Sequence, residues 1–263
     1  MQFNQVMAQF APGQTDDLWF EVPVGWGQGR AVFGGMAAAL ALQHLLQLLP
    51  AAIQLRSLSV SFVAPLNAGP AQVRRKVLRQ GSSVIQAMVE IQQQGQTMLV
   101  LLASFGSSRS SNYQIAGIAA PVWDTQVTTL PKHGPVPEFT SHFDYQIQQG
   151  TLPFSGSKQP TLGGQIRFSA GLECNTGYAE LLALIDAWPP VSLTLLTTPA
   201  MASSLTWTVE FVGSSSNFRT ADWWYYLANI EYAADGYHHI EAKLWDPAGQ
   251  LMAISRQTVT VFA

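Results

Sequence analysis

At 263 residues the chain is long enough for one large domain or two modest ones, and only 11% of it is charged, against about 25% in an ordinary globular protein. So thin a charged surface predicts extensive burial, a subunit interface included, and 13 Lys and Arg against 16 Asp and Glu leave no basic patch for nucleic acid or an anionic membrane. The single cysteine, Cys174, excludes an intrachain disulfide and a multi-cysteine metal site; no metal or other cofactor is expected, and the cytoplasm is the expected setting.

The first ten residues, MQFNQVMAQF, have no Lys or Arg ahead of an apolar core, unlike a secretory leader. Residues 17–24 alternate as a short strand does, and residues 25–30 form a Gly-rich loop. The sequence MAAALALQHLLQLL follows, apolar almost all round, which predicts a helix buried on most sides. Gln43, His44 and Gln47 interrupt this run and Pro50 stops it, well short of the roughly 20 apolar residues of a membrane span. Four alanines between positions 37 and 41 let the helix lie close to a sheet, and His44 reads as a satisfied core histidine. Gly34 and Gly35 precede the helix. They serve either a tight turn for close packing or a ligand oxygen, which would meet the free N–H groups and the positive end of the dipole.

Residues 55–65 alternate Leu58, Val60 and Phe62 against Ser57, Ser59 and Ser61, a half-buried strand. Residues 71–78 carry Arg74, Arg75 and Lys76, either a solvated strand face or a contact for phosphates. Residues 81–105 read as a β-hairpin turning at Gly95. Between residues 106 and 138 the pattern weakens into Ser- and Pro-rich connection, and residues 139–148 resume as a strand. Residues 165–173 form another, after which Asn175 or Thr176 caps a helix over residues 178–188 that Pro189 and Pro190 end. Asp186 near the C-terminus of that helix opposes the dipole, so it is either a surface carboxylate or one with a local partner or role. Residues 204–212 alternate Leu205, Trp207, Val209 and Phe211 against Thr206, Thr208 and Glu210. Residues 223–233 are strongly β-prone, and residues 236–262 form a second hairpin about a turn holding Pro247 and Gly249.

The second hairpin repeats the plan of the first, and SLSVSFV at residues 57–63 repeats as TWTVEFV at residues 206–212. A period near 150 residues is far too long for a solenoid and predicts a duplicated domain. The expected division is residues 1–105, a connection over 106–138, and residues 139–263. Superposing the halves puts Ser57 opposite Thr206 and Ala103 opposite Gln257, so at most one polar site is expected.

The ordered set Gly-x-Gly-Arg-Ala-x-Phe-Gly-Gly at residues 27–35, DAWPP at 186–190, TWTVEF at 206–211 and LWDPAGQLMAISRQ at 244–257 resembles the TesB-like acyl-CoA thioesterases, over nearly the whole chain. The resemblance implies an α+β double hotdog, two fused repeats each with a long central helix wrapped by an antiparallel β-sheet. It further implies hydrolysis of a fatty acyl-CoA to free acid and CoA, and a homodimer or higher homo-oligomer. In that family a carboxylate, a Ser or Thr and a Gln hold and activate a water. Carried over, the Gln falls on Gln257, the carboxylate position on Thr206 and the Ser/Thr position near Glu231, which suggests a carboxylate moved to the neighbouring strand. Gly34 and Gly35 are the expected substrate-binding residues, with Glu210 and Asp186 next in line as the base. Because Thr206 cannot act as a base at neutral pH, the alternative is a catalytically impaired or non-catalytic acyl-CoA or acyl-carrier binding protein. A hydratase using His142 and Asp144 as acid and base is a further alternative, though at i and i+2 on one strand they read first as ordinary surface residues, and no Gly-x-Ser-x-Gly motif supports a serine hydrolase.

Overall fold

Runs of β-branched and aromatic residues with a period of two can each turn one face to a core, which is why so much of this chain pairs as strands. The computed structural model describes residues 1–49, 53–123, 126–169, 174–213 and 218–262. In order they form α1 (Phe3–Met7), β1 (Asp17–Val22), β2 (Gly27–Gln28), β3 (Ala31–Val32), α2 (Gly34–Leu46), β4 (Gln54–Phe62), β5 (Gly69–Gln80), β6 (Val84–Gln93) and β7 (Gln96–Gly106). There follow β8 (Phe143–Gln149), β9 (Thr161–Phe168), α3 (Tyr178–Asp186), α4 (Val191–Leu195), β10 (Met201–Phe211), β11 (Trp224–Ala234), β12 (Tyr237–Trp245) and β13 (Leu251–Phe262). A 3-10 turn, Glu138–His142, leads into β8. The strand expected over residues 165–173 is β9, and residues 170–173 lie outside the described residues.

Eleven strands form one antiparallel sheet in the order β1-β5-β6-β7-β4-β10-β13-β12-β11-β9-β8, while β2 and β3 pair by themselves. Counted outward from the central β4–β10 pair, the order β7, β6, β5, β1 on one side matches β13, β12, β11, β9 on the other. This is the repeat read from the sequence, with β8 added at one edge. The two halves join by backbone pairing, Thr206 opposite Ser61 through Glu210 opposite Ser57.

The two hairpins close differently. Gln94 and Gly95 both adopt positive φ, +53° and +76°, the requirement of a two-residue type I′ turn. In the later hairpin Asp246 Oδ1 accepts from the N–H groups of Ala248 and Gln250, each at 2.9 Å, and Gly249 takes φ +82°.

Helix α2 lies buried in a core that runs through both halves. Met36, Leu40, Leu42 and Leu45 are fully buried, each contributing about 1.5–3 kcal/mol, and the helix packs against β5, β6, β7 and α3. His44 is buried with Nε2 3.1 Å from Asp16 O, but its Nδ1 has no partner, so this core histidine is half satisfied; burial chiefly lowers its pKa. Arg75 is neither on a solvated face nor a phosphate contact. It is 4% exposed and donates to Asp16 Oδ1 at 3.0 Å, His44 O at 2.6 Å and Gln14 O at 2.8 Å, tying β5 to the end of α2. Arg74 pairs with Asp17 at 2.6 Å.

The first residues do more than the sequence indicated. Phe3, Val6 and Met7 are buried, and Trp26 Nε1 donates to Met1 O at 3.1 Å. Residues 107–137 carry no helix or strand among those described, yet they are held to the second half, where Trp245 Nε1 donates to Ile118 O at 2.8 Å and Ala120 N to Gly249 O at 3.1 Å.

Candidate active site

A helix that runs into Pro189 and Pro190 must stop, because proline lacks the N–H and clashes with the preceding turn. It stops here with Asp186 as the last helical residue and Ala187 as the C-cap. A carboxylate at a helix C-terminus faces unpaired carbonyls and is disfavoured there. The compensation comes from the other helix. Asp186 sits against the start of α2, where the Gly35 N–H donates to it.

That approach explains the glycine pair. A Cβ on Gly34 would lie 2.8 Å from Asp186 Oδ2, and one on Gly35 would lie 3.0 Å from Asp186 Cβ and 3.1 Å from Leu182 O. Neither glycine has the positive φ that would otherwise demand it. They are small so that the two helix ends can touch.

The third component comes from the sheet. Gln257 lies opposite Trp207 and Ile240 on the buried face, and its Nε2 donates to Asp186 Oδ1 at 2.5 Å. Ser204 Oγ donates to Gln257 Oε1 at 3.4 Å, a long bond that favours the amide orientation aiming Nε2 at the carboxyl. Ser204 reaches this face only through a β-bulge. The register against β13 shifts between Ser204, opposite Val259, and Thr206, opposite Thr258. Counting back by twos from buried Trp207, an unbroken strand would turn Leu205 inward and Ser204 outward. The extra residue reverses this, as bulges near functional sites do, and Leu205 is 39% exposed.

Burial is the chief cause that pushes the Asp186 carboxyl from 3.8 up to about 7, against the opposing hydrogen bonds from Gln257 and Gly35. The residue keeps a minority of its surface open, toward a cleft that it lines with Trp188, Tyr226, Ser255 and Gln257 and whose water-sized space is ≈ 20 Å³, enough for one or two waters. Burial, reinforced by the nearby Asp186, also holds the Tyr226 phenol well above its usual range. The arrangement offers a carboxyl poised to take a proton near neutrality, an amide donor and a water-sized space beside them.

Of the expected residues, Gln257, Gly34 and Gly35 converge here. Thr206 and Glu231 do not join them. Thr206 is exposed and lies opposite Thr258 and Ser61 on the outer face, because its neighbour Trp207 points inward; the bulge sets Ser204 on the inner face. Glu231 is the extra residue of a second bulge, between Ile230 and Tyr232. Both its carboxylate oxygens accept from Arg256 at 2.7 Å, and Arg256, adjacent to Gln257 in β13, points to the opposite face. Glu210 is exposed on that outer face too. His142 stacks on Trp26 with ring centroids 3.7 Å apart and bonds Gly25 O at 2.8 Å. Asp144 is bound by Lys132, Arg167 and Ser169; burial raises its pKa, but those hydrogen bonds outweigh burial and hold it below the usual value. The two are not paired with each other. Among the described residues no group of three His, Cys, Asp or Glu is placed to hold a metal, and no helix is long and apolar enough to cross a membrane.

Residues 22–106 match the family described as acyl-CoA thioesterase N-terminal domain, and residues 120–261 match the acyl-CoA thioesterase C-terminal domain. No curated protein matches significantly. Among solved structures, a conserved protein of unknown function with a hot dog fold from Alicyclobacillus acidocaldarius superposes with a TM-score of 0.86 at 21% identity, covering 99% of this chain and 98% of that one. The acyl-CoA thioesterase II TesB2 of Mycobacterium marinum gives 0.73 at 18% identity, covering 98% and 96%. The tesB protein of Mycobacterium avium subspecies paratuberculosis gives 0.75 at 13% identity, covering 99% and 98%.

Proposed function

Because the chain belongs to the TesB-like acyl-CoA thioesterase family, we propose that it hydrolyses an acyl-CoA thioester to the free acid and CoA, with Asp186 as the general base. The observation that carries this reading is the contact of Asp186 Oδ1 with Gln257 Nε2 at the first turn of α2, with the carboxyl pushed up to about 7. A carboxyl tuned to neutrality is half ionised there and still basic enough to accept a proton.

In this mechanism a water in the cleft is held by the free lone pairs of Asp186 and the second N–H of Gln257. The thioester carbonyl lies at the start of α2, where the backbone at Gly34 and the helix dipole favour a developing oxyanion. Asp186 takes a proton from the water as its oxygen bonds to the carbonyl carbon. The tetrahedral intermediate collapses with cleavage of the C–S bond, and the Asp186 proton passes to the departing thiolate. Ser204 acts through Gln257, and so is a positioning residue.

We further read the two halves as two hotdogs fused in one chain, α2 and α3 being their central helices. Homodimerisation and a cytoplasmic setting belong to the same reading, the former motivated by the low surface charge. The non-catalytic alternative rested on Thr206 standing where a carboxylate was expected; Asp186 offers a carboxylate to the same glutamine, so that reason lapses. The test is CoA release from a panel of acyl-CoAs by wild type and Asp186→Asn. Turnover by wild type, lost in the variant, is expected; wild type inert on every acyl-CoA, or a fully active variant, would sink the reading.

A further inference from the structure

The cleft beside Asp186 stops almost as soon as it begins. Its lining joins the polar groups of Asp186, Ser255 and Gln257 to an apolar set, Val191, Ile240 and Ala242 with the rings of Trp188 and Tyr226, which suits a thioester at the polar groups and its acyl group against the rings. Two of the lining residues form a ring pair. Trp188 and Tyr226 stack with centroids 4.8 Å apart and planes 8° from parallel, and they are only 4% and 7% exposed. Tyr145 meets Trp188 edge-on at 5.8 Å and 89°. Its hydroxyl donates to Ala187 O at 2.9 Å, fixing the backbone next to the indole. The wall is thus clamped from behind by a buried hydrogen bond, and Pro189 and Pro190 restrict the chain on the far side of Trp188.

We propose that the Trp188–Tyr226 stack is the determinant of acyl-chain length, and that the substrate class is the short-chain acyl-CoAs, of about two to four carbons, because a cleft with space for one or two waters, one of them the attacking water, leaves little room for an alkyl group unless side chains move. This rests on the thioesterase reading and narrows it. A longer alkyl chain has to displace Trp188 from a position held by its stack on Tyr226, its perpendicular contact with Tyr145 and the bonded backbone beside it. An acetyl group displaces the ring pair least and a butyryl group somewhat more.

The experiment is kcat/KM for acetyl-, butyryl-, octanoyl-, lauroyl- and palmitoyl-CoA, measured for wild type, Trp188→Ala and Trp188→Phe. Wild type is expected to fall at least tenfold between butyryl- and octanoyl-CoA. Trp188→Ala moves the optimum to octanoyl-CoA or beyond, chiefly through a lower KM for the longer chains. Trp188→Phe, which trims the wall while keeping a ring against Tyr226, shifts it by a smaller step and keeps the test alive where the alanine protein does not fold. Wild type that prefers lauroyl- or palmitoyl-CoA would overturn the assignment while leaving the thioesterase reading intact, as would variants that lose all chain lengths in equal proportion. Wild type inert on all five removes both.

Discussion

The two halves of the sheet carry the same irregularity at the same place and fill it differently. In β4 the register against β7 shifts between Leu55 and Ser57, as it does in β10 against β13 between Ser204 and Thr206. In the second half the bulge turns Ser204 inward toward Gln257. In the first, Leu55 stands in the place of Ser204 and Ala103 in that of Gln257, 1% and 3% exposed. The helices repeat the contrast, since α2 ends on Leu46 and α3 on Asp186. The backbone device is therefore common to both halves, and the second half fills it with polar side chains where the first has apolar ones.

The largest effect that would sharpen this contrast comes from Asp186→Asn, which keeps the shape and removes the base. Turnover should fall about 10³-fold or more, whereas wild-type kcat/KM should rise with pH to a plateau above about pH 7, following ionisation of Asp186. The same substitution has a signature in stability. With its carboxyl raised to about 7 from 3.8, the folded protein keeps a proton that the unfolded chain releases between those values, so stability declines as pH rises through that window and the loss is complete above it. Asp186→Asn should thus melt higher than wild type at pH 8, by on the order of 2 kcal/mol once solvent on its open side is allowed for, and equally at pH 3. Equal melting at both pH values would contradict the raised pKa.

Gln257→Ala gives the second half the residue that the first half has at position 103. Losing the donor to Asp186 and to the water should cost roughly 10²-fold in kcat, with KM little changed. Ser204→Ala should cost less, about three- to tenfold, as expected of a weak bond that only orients the amide; the pH profile should keep its shape. Smallest of all, Thr206→Val and Glu231→Gln should each leave kcat/KM within about twofold, since an exposed ion pair such as Glu231–Arg256 contributes little. A large loss in either would mean that the outer face takes part, and would break the comparison.

Period-two alternation and the repeat made the sheet legible, and the apolar run at residues 36–49 located α2. What alternation could not reveal was the insertion of one residue into a ladder. Leu205 continues the apolar pattern of Trp207, Val209 and Phe211, so nothing in the residue types marks it as the place where inside and outside exchange. Counted back from Phe211 the carboxylate position falls on Thr206, outward beside Trp207, and the inward polar residue, Ser204, lies just beyond the insertion. Asp186 did leave a signal, as an acidic residue at the wrong end of a helix, cut off by two prolines. Its partner could not be read, because Gly35 is 151 positions away in the chain and meets it only when two helix ends lacking Cβ atoms come together.

The pairing of β4 with β10 inside one polypeptide has a consequence for symmetry. Were the halves identical copies related by a twofold axis, every residue placed at one end of the helix pair would recur at the other, and two carboxyls would have to be desolvated for each assembly. Joined through residues 107–137, the halves are released from that identity. One end keeps its buried acid, the other closes over leucine and alanine, and the helix pair bears the desolvation cost of a buried carboxyl at one end.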